Sequence, residues 1–287
     1  MQRFIWLASY PKSGNTWMRV FFTNLRLDAA APAHINRLLP IAHASDRSLF
    51  DEAVGFASGD LTHDEVDALR RDVYLYYARR GRGHLFCKVH DAFTVYPDAR
   101  PMFPPEATAG VIYLVRNPLD VCVSLAHFVG APRDEVIGNM ADPGAELAGP
   151  TDHLEAGQLR QRLRTWSDHV RSWADAPNVR VLVLRYEDMK TRPVETFTAA
   201  AAFVGMTQDR DKVERALRFS SIEELQRQER AEGFRGAAAP GRAFFRKGKV
   251  GSWREELTES QVARIIRDHR DVMRRFGYLT EAGEPAA

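Results

Sequence analysis

The chain has 287 residues, 45% of them hydrophobic, so it is long enough to bury a sizeable core in one large α/β domain or two small ones. Lys and Arg number 40 against 38 Asp and Glu, and a net charge of only +2 excludes the strongly basic surface of a general nucleic-acid or membrane binder. Any preference for anions is therefore local, and we expect neither nucleic acid nor membrane as a partner. We also expect a single domain over residues 1–287.

The amino-terminal apolar run and the cysteines predict a cytoplasmic protein. The run ends at Ser9 and Pro11, too soon for the hydrophobic region of a signal peptide, and no later run approaches the ~20 residues of a membrane helix. Cys87 and Cys122 each lie inside an apolar run, with neither a CxxC motif nor a Cys/His spacing. We interpret them as buried free thiols in a reducing compartment.

Apolar runs and helical periodicities alternate along the chain. The apolar runs predict strands over 4–9, 84–90, 110–116 and 179–186. The helical patterns predict helices that start at Asn15 and that cover 64–80, 118–128 and 159–175. This alternation predicts an α/β fold with a central, mostly parallel sheet flanked by helices.

Polar motifs follow the predicted strands at their carboxyl ends, where ligands of such sheets bind. The motifs are SYPKSGN, KVHD, VRNP and RYED, and we expect them to line one crevice. Two other segments, 129–150 and 231–253, are rich in Gly, Ala and Pro without a stable period. Long loops of this kind are usually functional lids or disordered.

The motif after the first strand has the pattern of a P-loop-like, nucleotide-binding turn. A helix that opens at about Asn15 would present backbone N–H groups to an anion, and Gly14 would allow close approach because it has no Cβ. The alternative is an ordinary turn capped by Asn15 or Thr16. In the standard P-loop the lysine follows the glycine and precedes a magnesium-binding hydroxyl, whereas Lys12 precedes Gly14.

Two further cationic clusters favour a site that neutralises phosphate with Lys and Arg alone, without a metal. Arg116 ends the third predicted strand, where a magnesium site would need an acid, and Ser124 follows two helical turns later. Together they would form a compact phosphate clamp, although Arg116 could instead pair with Asp120. The second cluster, Arg246-Lys247-Gly248, could otherwise be a solvated charged loop.

Four motifs in register resemble the cytosolic-type sulfotransferases over about Arg3 to Trp253. They are YPKSGNTW, YLVRNPLDVCVSLAHF, RYEDMKTRP and FRKGKVGSW. The resemblance implies a P-loop-like fold and an enzyme that moves the sulfuryl group of 3'-phosphoadenosine-5'-phosphosulfate (PAPS) to a small-molecule hydroxyl. The nucleotide product would be 3',5'-bisphosphoadenosine (PAP), and no metal would take part.

The resemblance also assigns nucleotide-binding residues by matching position. The 5'-phosphosulfate would be held by Lys12, Ser13, Gly14, Asn15, Thr16 and Trp17, of which Trp17 would also stack on adenine. The 3'-phosphate would be held by Arg116, Ser124, Arg246, Lys247 and Gly248. The adenine would be contacted by Tyr186, Ser220 and Ile222, where Ile222 stands in place of the usual Phe. Trp17 and Tyr186 could instead be core aromatics.

The catalytic residues would come from the strand LFCKVH and from Lys12 in the phosphate-binding loop. Lys88 and His90 are two residues apart, so they share one face of a strand. The family's Lys-x-His pair implies that Lys88, with Lys12, assists the transferring sulfuryl group and that His90 is the general base, a role that suits a pKa of about 6.5. A lone histidine at a strand end is otherwise more often structural.

Two other function classes stay open from sequence: a P-loop small-molecule kinase that uses ATP, and a noncatalytic binder of phosphoadenosine. The missing Gly-Lys-Ser/Thr counts against the kinase, and the retention of Lys12, Lys88 and His90 counts against simple binding. The acceptor is expected to be a hydroxyl or phenol on a hydrophobic small molecule such as a secondary metabolite. Apolar surface for it would come from Phe93, Phe128, Phe234, Phe244 and Phe245. The sequence leaves the oligomeric state undetermined.

Overall fold

The computed structural model describes residues 1–38, 42–147, 157–236 and 243–286. These residues form two compact units. Unit 1 comprises Met1–Tyr10, Ile41–Tyr113 and Asp142–Val183. Unit 2 comprises Pro11–Pro40, Leu114–Ala141 and Leu184–Ala287. The expectation of a single domain over residues 1–287 stays a prediction.

Strands and helices alternate as the apolar patterns predict. The strands are β1 (Arg3–Ser9), β2 (Ala42–His43), β3 (His84–Val89), β4 (Thr108–Val115), β5 (Glu146–Leu147), β6 (Gln161–Arg162) and β7 (Val181–Arg185). The helices are α1 (Asn15–Leu27), α2 (Arg47–Val54), α3 (His63–Arg80), α4 (Pro118–Val129), α5 (Arg133–Ala141), α6 (Trp166–Ala174), α7 (Tyr186–Thr191), α8 (Pro193–Phe203), α9 (Arg210–Arg218), α10 (Ile222–Glu232), α11 (Trp253–Glu256) and α12 (Glu259–Arg275). Short 3₁₀ turns lie at Ser58–Asp60 and Pro105–Ala107.

A five-stranded parallel sheet in the order β2-β3-β1-β4-β7 forms the centre of the fold, and it confirms the predicted α/β class. β1 is buried from Phe4 onward, because helices cover a sheet whose strands carry apolar side chains on both faces. The Trp6 indole donates to the Thr108 hydroxyl at 2.9 Å, which satisfies its one polar group inside this core. Within the described ranges, no helix is both long and apolar enough to cross a membrane.

The predicted helix over 159–175 is wrong in its first half. Gln161–Arg162 pairs with β5 as a short antiparallel strand, and the helix begins only at Trp166. Arg164 takes a left-handed φ of 59°, which breaks any helix, and the Thr165 side chain then caps α6 by accepting from the Asp168 N–H. The helical spacing of the residues before Arg164 is therefore overridden by pairing in the fold.

The two segments interpreted as lids or disorder are partly regular. Within 129–150, α5 forms and buries Val136, Ile137 and Met140, so these apolar side chains outweigh the helix-breaking composition around them. Residues 148–150 lie outside the described residues. Within 231–253, α10 runs to Glu232 and α11 begins at Trp253, while residues 237–242 lie outside the described part of the chain.

Candidate active site

The turn between β1 and α1 has the backbone of an anion-binding loop. Lys12 takes a left-handed φ of 67° and Gly14 one of 101°, and such alternation turns successive N–H groups toward one point. Gly14 is the N-cap of α1, which has neither a side-chain cap nor an acidic residue in its first turn. The alternative of a turn capped by Asn15 or Thr16 is therefore wrong. The loop leaves the positive end of the helix for a ligand.

Aromatic rings pack directly behind this loop. A Cβ on Gly14 would lie 2.9 Å from Cδ2 of Tyr186, so only glycine fits against the tyrosine ring. The Arg116 guanidinium lies over the same ring, 4.3 Å from its centroid, and Trp17 meets Tyr186 edge-on at 6.0 Å. Tyr186 and Trp17, both predicted to contact adenine, are thus brought together with the phosphate loop.

Arg116 ties two backbone segments of unit 2 together. Its Nη1 donates to the Lys12 carbonyl at 3.0 Å and its Nη2 to the Lys249 carbonyl at 3.2 Å. Asp120, the alternative partner, instead accepts from the Gly251 N–H, the Ser252 hydroxyl and the Trp253 N–H. The Arg116 side chain is thereby oriented by carbonyls, which leave its positive charge available to an anion.

Polar atoms around the loop lack partners although they are buried. Of the residues that the structure describes, Ser13 Oγ, Trp17 Nε1 and Arg116 Nε have no hydrogen-bond partner, and Ser13 is only 1% exposed. Unsatisfied buried groups cost free energy unless a ligand or water pairs with them. The donor chemistry of this set fits a phosphorylated ligand. Ser124 lies two turns after Arg116 on α4 and is partly exposed.

The Lys12 ammonium lies between two aromatic faces. Its Nζ is 4.2 Å from the centroid of the Phe128 ring and 3.9 Å from that of Phe244. Phe244 also packs against Phe234 and Phe245. Four of the five rings predicted to line an acceptor pocket therefore cluster in unit 2. The fifth, Phe93, is a buried core residue of unit 1, packed on Phe103 and Trp173.

Residues 243–249, here called the late cationic segment, are neutralised by a carboxylate. Glu256 accepts from Arg246 and Lys247, each at 3.0 Å, and from Arg133 at 2.9 Å. Burial alone would raise the pKa of Glu256, but these three cations together hold it at about 2. The alternative of a solvated charged loop left out this partner, and the role in binding the 3'-phosphate stays a prediction. The acidic pair Glu255-Glu256 shortly after the cations was the available signal.

Two residues of the predicted adenine wall, Ile222 and Ser220, have contacts within the protein. Gly248 packs against Ile222, because a Cβ on Gly248 would lie 3.2 Å from Cγ1 of Ile222. The Ser220 hydroxyl is fully buried, donates to the Ala216 carbonyl and accepts from the Asn24 amide. Ser220 therefore has a structural role, and its nucleotide contact stays a prediction.

In unit 1, Lys88 lies in β3 and His90 directly follows the strand. Cys87, before Lys88, and Val89, between the two, are buried, so Lys88 and His90 share the other face. His90 Nδ1 lies 2.7 Å from the Ser9 carbonyl. A carbonyl only accepts, so Nδ1 carries the hydrogen and Nε2 carries the lone pair. Burial first, then the charges of Lys88, His169 and His43, lower the pKa of His90 well below its ordinary 6.5 despite the Ser9 carbonyl. His90 is therefore a neutral imidazole near pH 7, with an unprotonated Nε2 that can accept a hydrogen bond or a proton.

Comparisons with known proteins identify the family of the chain. A protein-family model described as "Sulfotransferase domain" matches residues 2–277. Flavonol 3-sulfotransferase of Flaveria bidentis is 26% identical over 286 residues, which cover 91% of this chain and 78% of that protein. Cytosolic sulfotransferase 17 of Arabidopsis thaliana is 25% identical, with coverage of 96% and 75%.

Solved structures show the same fold. The chain superposes on a mouse sulfotransferase complexed with PAP with a TM-score of 0.60 at 20% identity, covering 98% of this chain and 86% of the other. It superposes on retinol dehydratase in complex with androsterone and PAP with a TM-score of 0.61 at 19% identity, covering 94% and 80%. At these identities the likeness concerns the fold alone.

Proposed function

The chain belongs to the sulfotransferase domain family, and we propose that it transfers the sulfuryl group of PAPS to a hydroxyl of a small-molecule acceptor, with His90 as the general base. When bound, PAPS supplies the sulfuryl group, and PAP is the nucleotide that remains. The observation that carries the nucleotide part is the loop of Lys12 to Trp17, with its two left-handed residues, uncapped helix and unpartnered buried Ser13 Oγ.

The residues of unit 2 would bind and orient the nucleotide. The 5' end would accept hydrogen bonds from the loop N–H groups of residues 12–17 and from the Ser13 hydroxyl. The 3'-phosphate would be bound by Arg116, Ser124 and the late cationic segment, and the adenine by Trp17 and Tyr186. Lys12 would stabilise the negative charge that develops during transfer, an electrostatic role that needs a preoriented cation. The two rings that flank its Nζ supply that orientation.

The residues of unit 1 would handle the proton. His90 would accept the acceptor's hydroxyl proton at Nε2, because its Nδ1 hydrogen is committed to the Ser9 carbonyl. Lys88 would add positive charge beside the transferring group, and after burial its charge is the next cause of the lowered His90 pKa. A base with a lowered pKa stays neutral as the pH falls toward 6.5, so activity should persist through mildly acidic pH.

The acceptor class and the compartment belong to the same proposal. The unit 2 cluster of Phe128, Phe234, Phe244 and Phe245 supports an apolar or aromatic molecule that carries a hydroxyl or phenol. The plant relative named a flavonol sulfotransferase supports a small-molecule acceptor. We place the protein in the cytoplasm, which the relative named a cytosolic sulfotransferase supports.

Nucleotide selectivity tests the proposal and separates it from the kinase and the noncatalytic binder. Thermal unfolding is followed with PAP, AMP and magnesium-ATP, and the protein is then incubated with PAPS and a panel of phenols and alcohols. We expect PAP to raise the melting temperature most, and sulfated product to form together with PAP. Preference for magnesium-ATP would support the kinase, and PAP binding without any sulfated product across the panel would support the binder.

A further inference from the structure

We infer that His169 is a positioning residue for His90, which it holds through the His90 backbone carbonyl; this rests on the proposed role of His90 as the base. His169 Nε2 lies 2.9 Å from the His90 carbonyl oxygen. The carbonyl only accepts, so Nε2–H is the donor and Nδ1 bears the lone pair. That lone pair accepts from the Tyr113 hydroxyl, 2.9 Å away. Both ring nitrogens of His169 are therefore engaged, and the ring itself is no base.

The surroundings of His169 fix its orientation. His169 and Tyr113 are both fully buried, and the Tyr10 ring meets the imidazole edge-on at 5.3 Å. Burial lowers the pKa of His169 to about 4, so it stays the neutral, donating tautomer at any pH where the enzyme would work. The hydrogen bond to His90 is thus a permanent feature of unit 1.

Helix α6 makes a second hydrogen bond to the backbone of this segment, at the residue after His90. One turn after His169, the Trp173 indole donates to the Asp91 carbonyl at 2.8 Å. The Asp91 carboxylate is fully buried and accepts two 2.7 Å hydrogen bonds from Arg70. The carbonyl of His90 is held by α6 while its ring is held by the Ser9 carbonyl of β1, so two anchors on different elements set the direction of Nε2.

The consequence is catalytic rather than only structural, because a base acts over a short distance. A displacement of about 1 Å at a reacting group costs about 10²-fold in rate. Loss of the His169 donor would leave the His90 carbonyl without this partner and allow the 90–91 backbone to shift. The ring would then gain exposure to water, and the pKa of His90 would rise toward its ordinary value.

The test compares His169→Leu, His169→Gln and the matched control Val170→Ala. Leucine removes both hydrogen bonds, whereas glutamine keeps a donor and an acceptor; Val170 is an equally buried neighbour on α6 whose truncation loosens packing without removing a bond to His90. Turnover, PAP affinity and the pH dependence of kcat/KM are measured below each variant's unfolding temperature. We expect kcat of His169→Leu to fall about 10- to 100-fold below the control. We further expect PAP affinity to be unchanged, the acid limb to move to higher pH, and His169→Gln to stay near the wild type.

Turnover of His169→Leu equal to that of Val170→Ala, or an unmoved acid limb, overturns the positioning role. If the leucine variant does not fold, Tyr113→Phe removes the hydroxyl that orients His169 and that also hydrogen-bonds the Tyr10 backbone. Reduced kcat with a shifted acid limb supports the inference, and wild-type behaviour overturns it. His90→Ala separates the two proposals. If His90→Ala retains turnover, His90 is not the base. If His90→Ala loses turnover while His169→Leu behaves like the wild type, only the role of His169 is overturned.

Discussion

Replacing Glu256 by glutamine should loosen the late cationic segment before nucleotide binds and leave it nearly unchanged afterwards. Glutamine keeps the shape of the side chain but removes the charge that Arg246, Lys247 and Arg133 share. Without nucleotide, three like charges would then face one another with no anion between them. PAP would restore an anion, because its 3'-phosphate is proposed to bind Arg246 and Lys247.

The magnitude follows from the exposure of the ion pairs. Glu256 is 16% exposed and its partners are 26%, 44% and 40% exposed, so each pair is partly screened. Screened pairs contribute roughly 0.2–1 kcal/mol each, and the two pairs that hold residues 243–249, those of Arg246 and Lys247, give about 0.4–2 kcal/mol. Because 1.4 kcal/mol is a factor of ten in an equilibrium, the open population of residues 243–249 should rise roughly 2- to 30-fold.

Amide hydrogen exchange over residues 243–249 measures this population, with and without PAP. Glu255→Gln is the matched comparison, since Glu255 is 60% exposed and, among the described residues, pairs with Lys249 and, at 4.0 Å, with Lys247. Exchange should rise more in Glu256→Gln than in Glu255→Gln, because exposed pairs contribute less, and PAP should remove most of the rise in Glu256→Gln. Equal exchange in the nucleotide-free wild type and Glu256→Gln would refute this role. Closure of the segment over bound nucleotide also stays a prediction.

The pH dependence has a definite sign. The folded pKa of Glu256 is about 2, below its ordinary 4.5. A depressed carboxylate pKa contributes stability that is present above 4.5 and is lost as the pH falls through the window toward 2. Protection of the late cationic segment should therefore decline between these values in the wild type, and the decline should be smaller in Glu256→Gln, where Glu255 alone still pairs with Lys247 and Lys249 among the described carboxylates.

Three further substitutions test the nucleotide-binding half of the site. Arg116→Ala should weaken PAP by about 1.5–3 kcal/mol and weaken AMP much less; calorimetry that shows equal weakening would give Arg116 a purely structural role. Gly14→Ala should lower the free energy of unfolding by about 1–3 kcal/mol, because its φ of 101° and the Tyr186 ring at 2.9 Å leave no room for a Cβ; an unchanged denaturation midpoint would contradict the close contact. Phe244→Leu should raise the activation free energy of turnover by about 0.5–2 kcal/mol because Lys12 loses a ring face, whereas Phe244→Tyr should not; equal kcat values for the two would exclude the cation–π contact.

The predictions that succeeded depend on local chain geometry. A strand, a glycine turn and a helix are adjacent in sequence, so the loop around Lys12 and Gly14 could be located from the residues alone, as could the sheet that holds it. Arg116 was placed at a strand end for the same reason. The resemblance then supplied a ligand that spacing by itself left open.

The features that were missed depend on contacts distant in sequence. His169 reaches the carbonyl of a residue 79 positions away, and Asp120 binds backbone 131 to 133 positions away, so no local pattern reveals either contact. The helix predicted over 159–175 fails for a similar reason. Its first residues pair with β5, and a single left-handed residue, Arg164, ends any helical continuation.

Single-turnover transfer tests most directly whether this chain moves a sulfuryl group with His90 as the base. The protein is preincubated with labelled PAPS, mixed with a reactive phenolic acceptor, and sampled for sulfated phenol and PAP, in the wild type and in His90→Ala. We predict equal amounts of the two products in the wild type, and a rate about 10²- to 10⁴-fold lower in His90→Ala with unchanged PAP affinity. A wild-type rate in His90→Ala would contradict the role of His90 as the base, and PAPS consumed without sulfated phenol would contradict sulfuryl transfer to the acceptor.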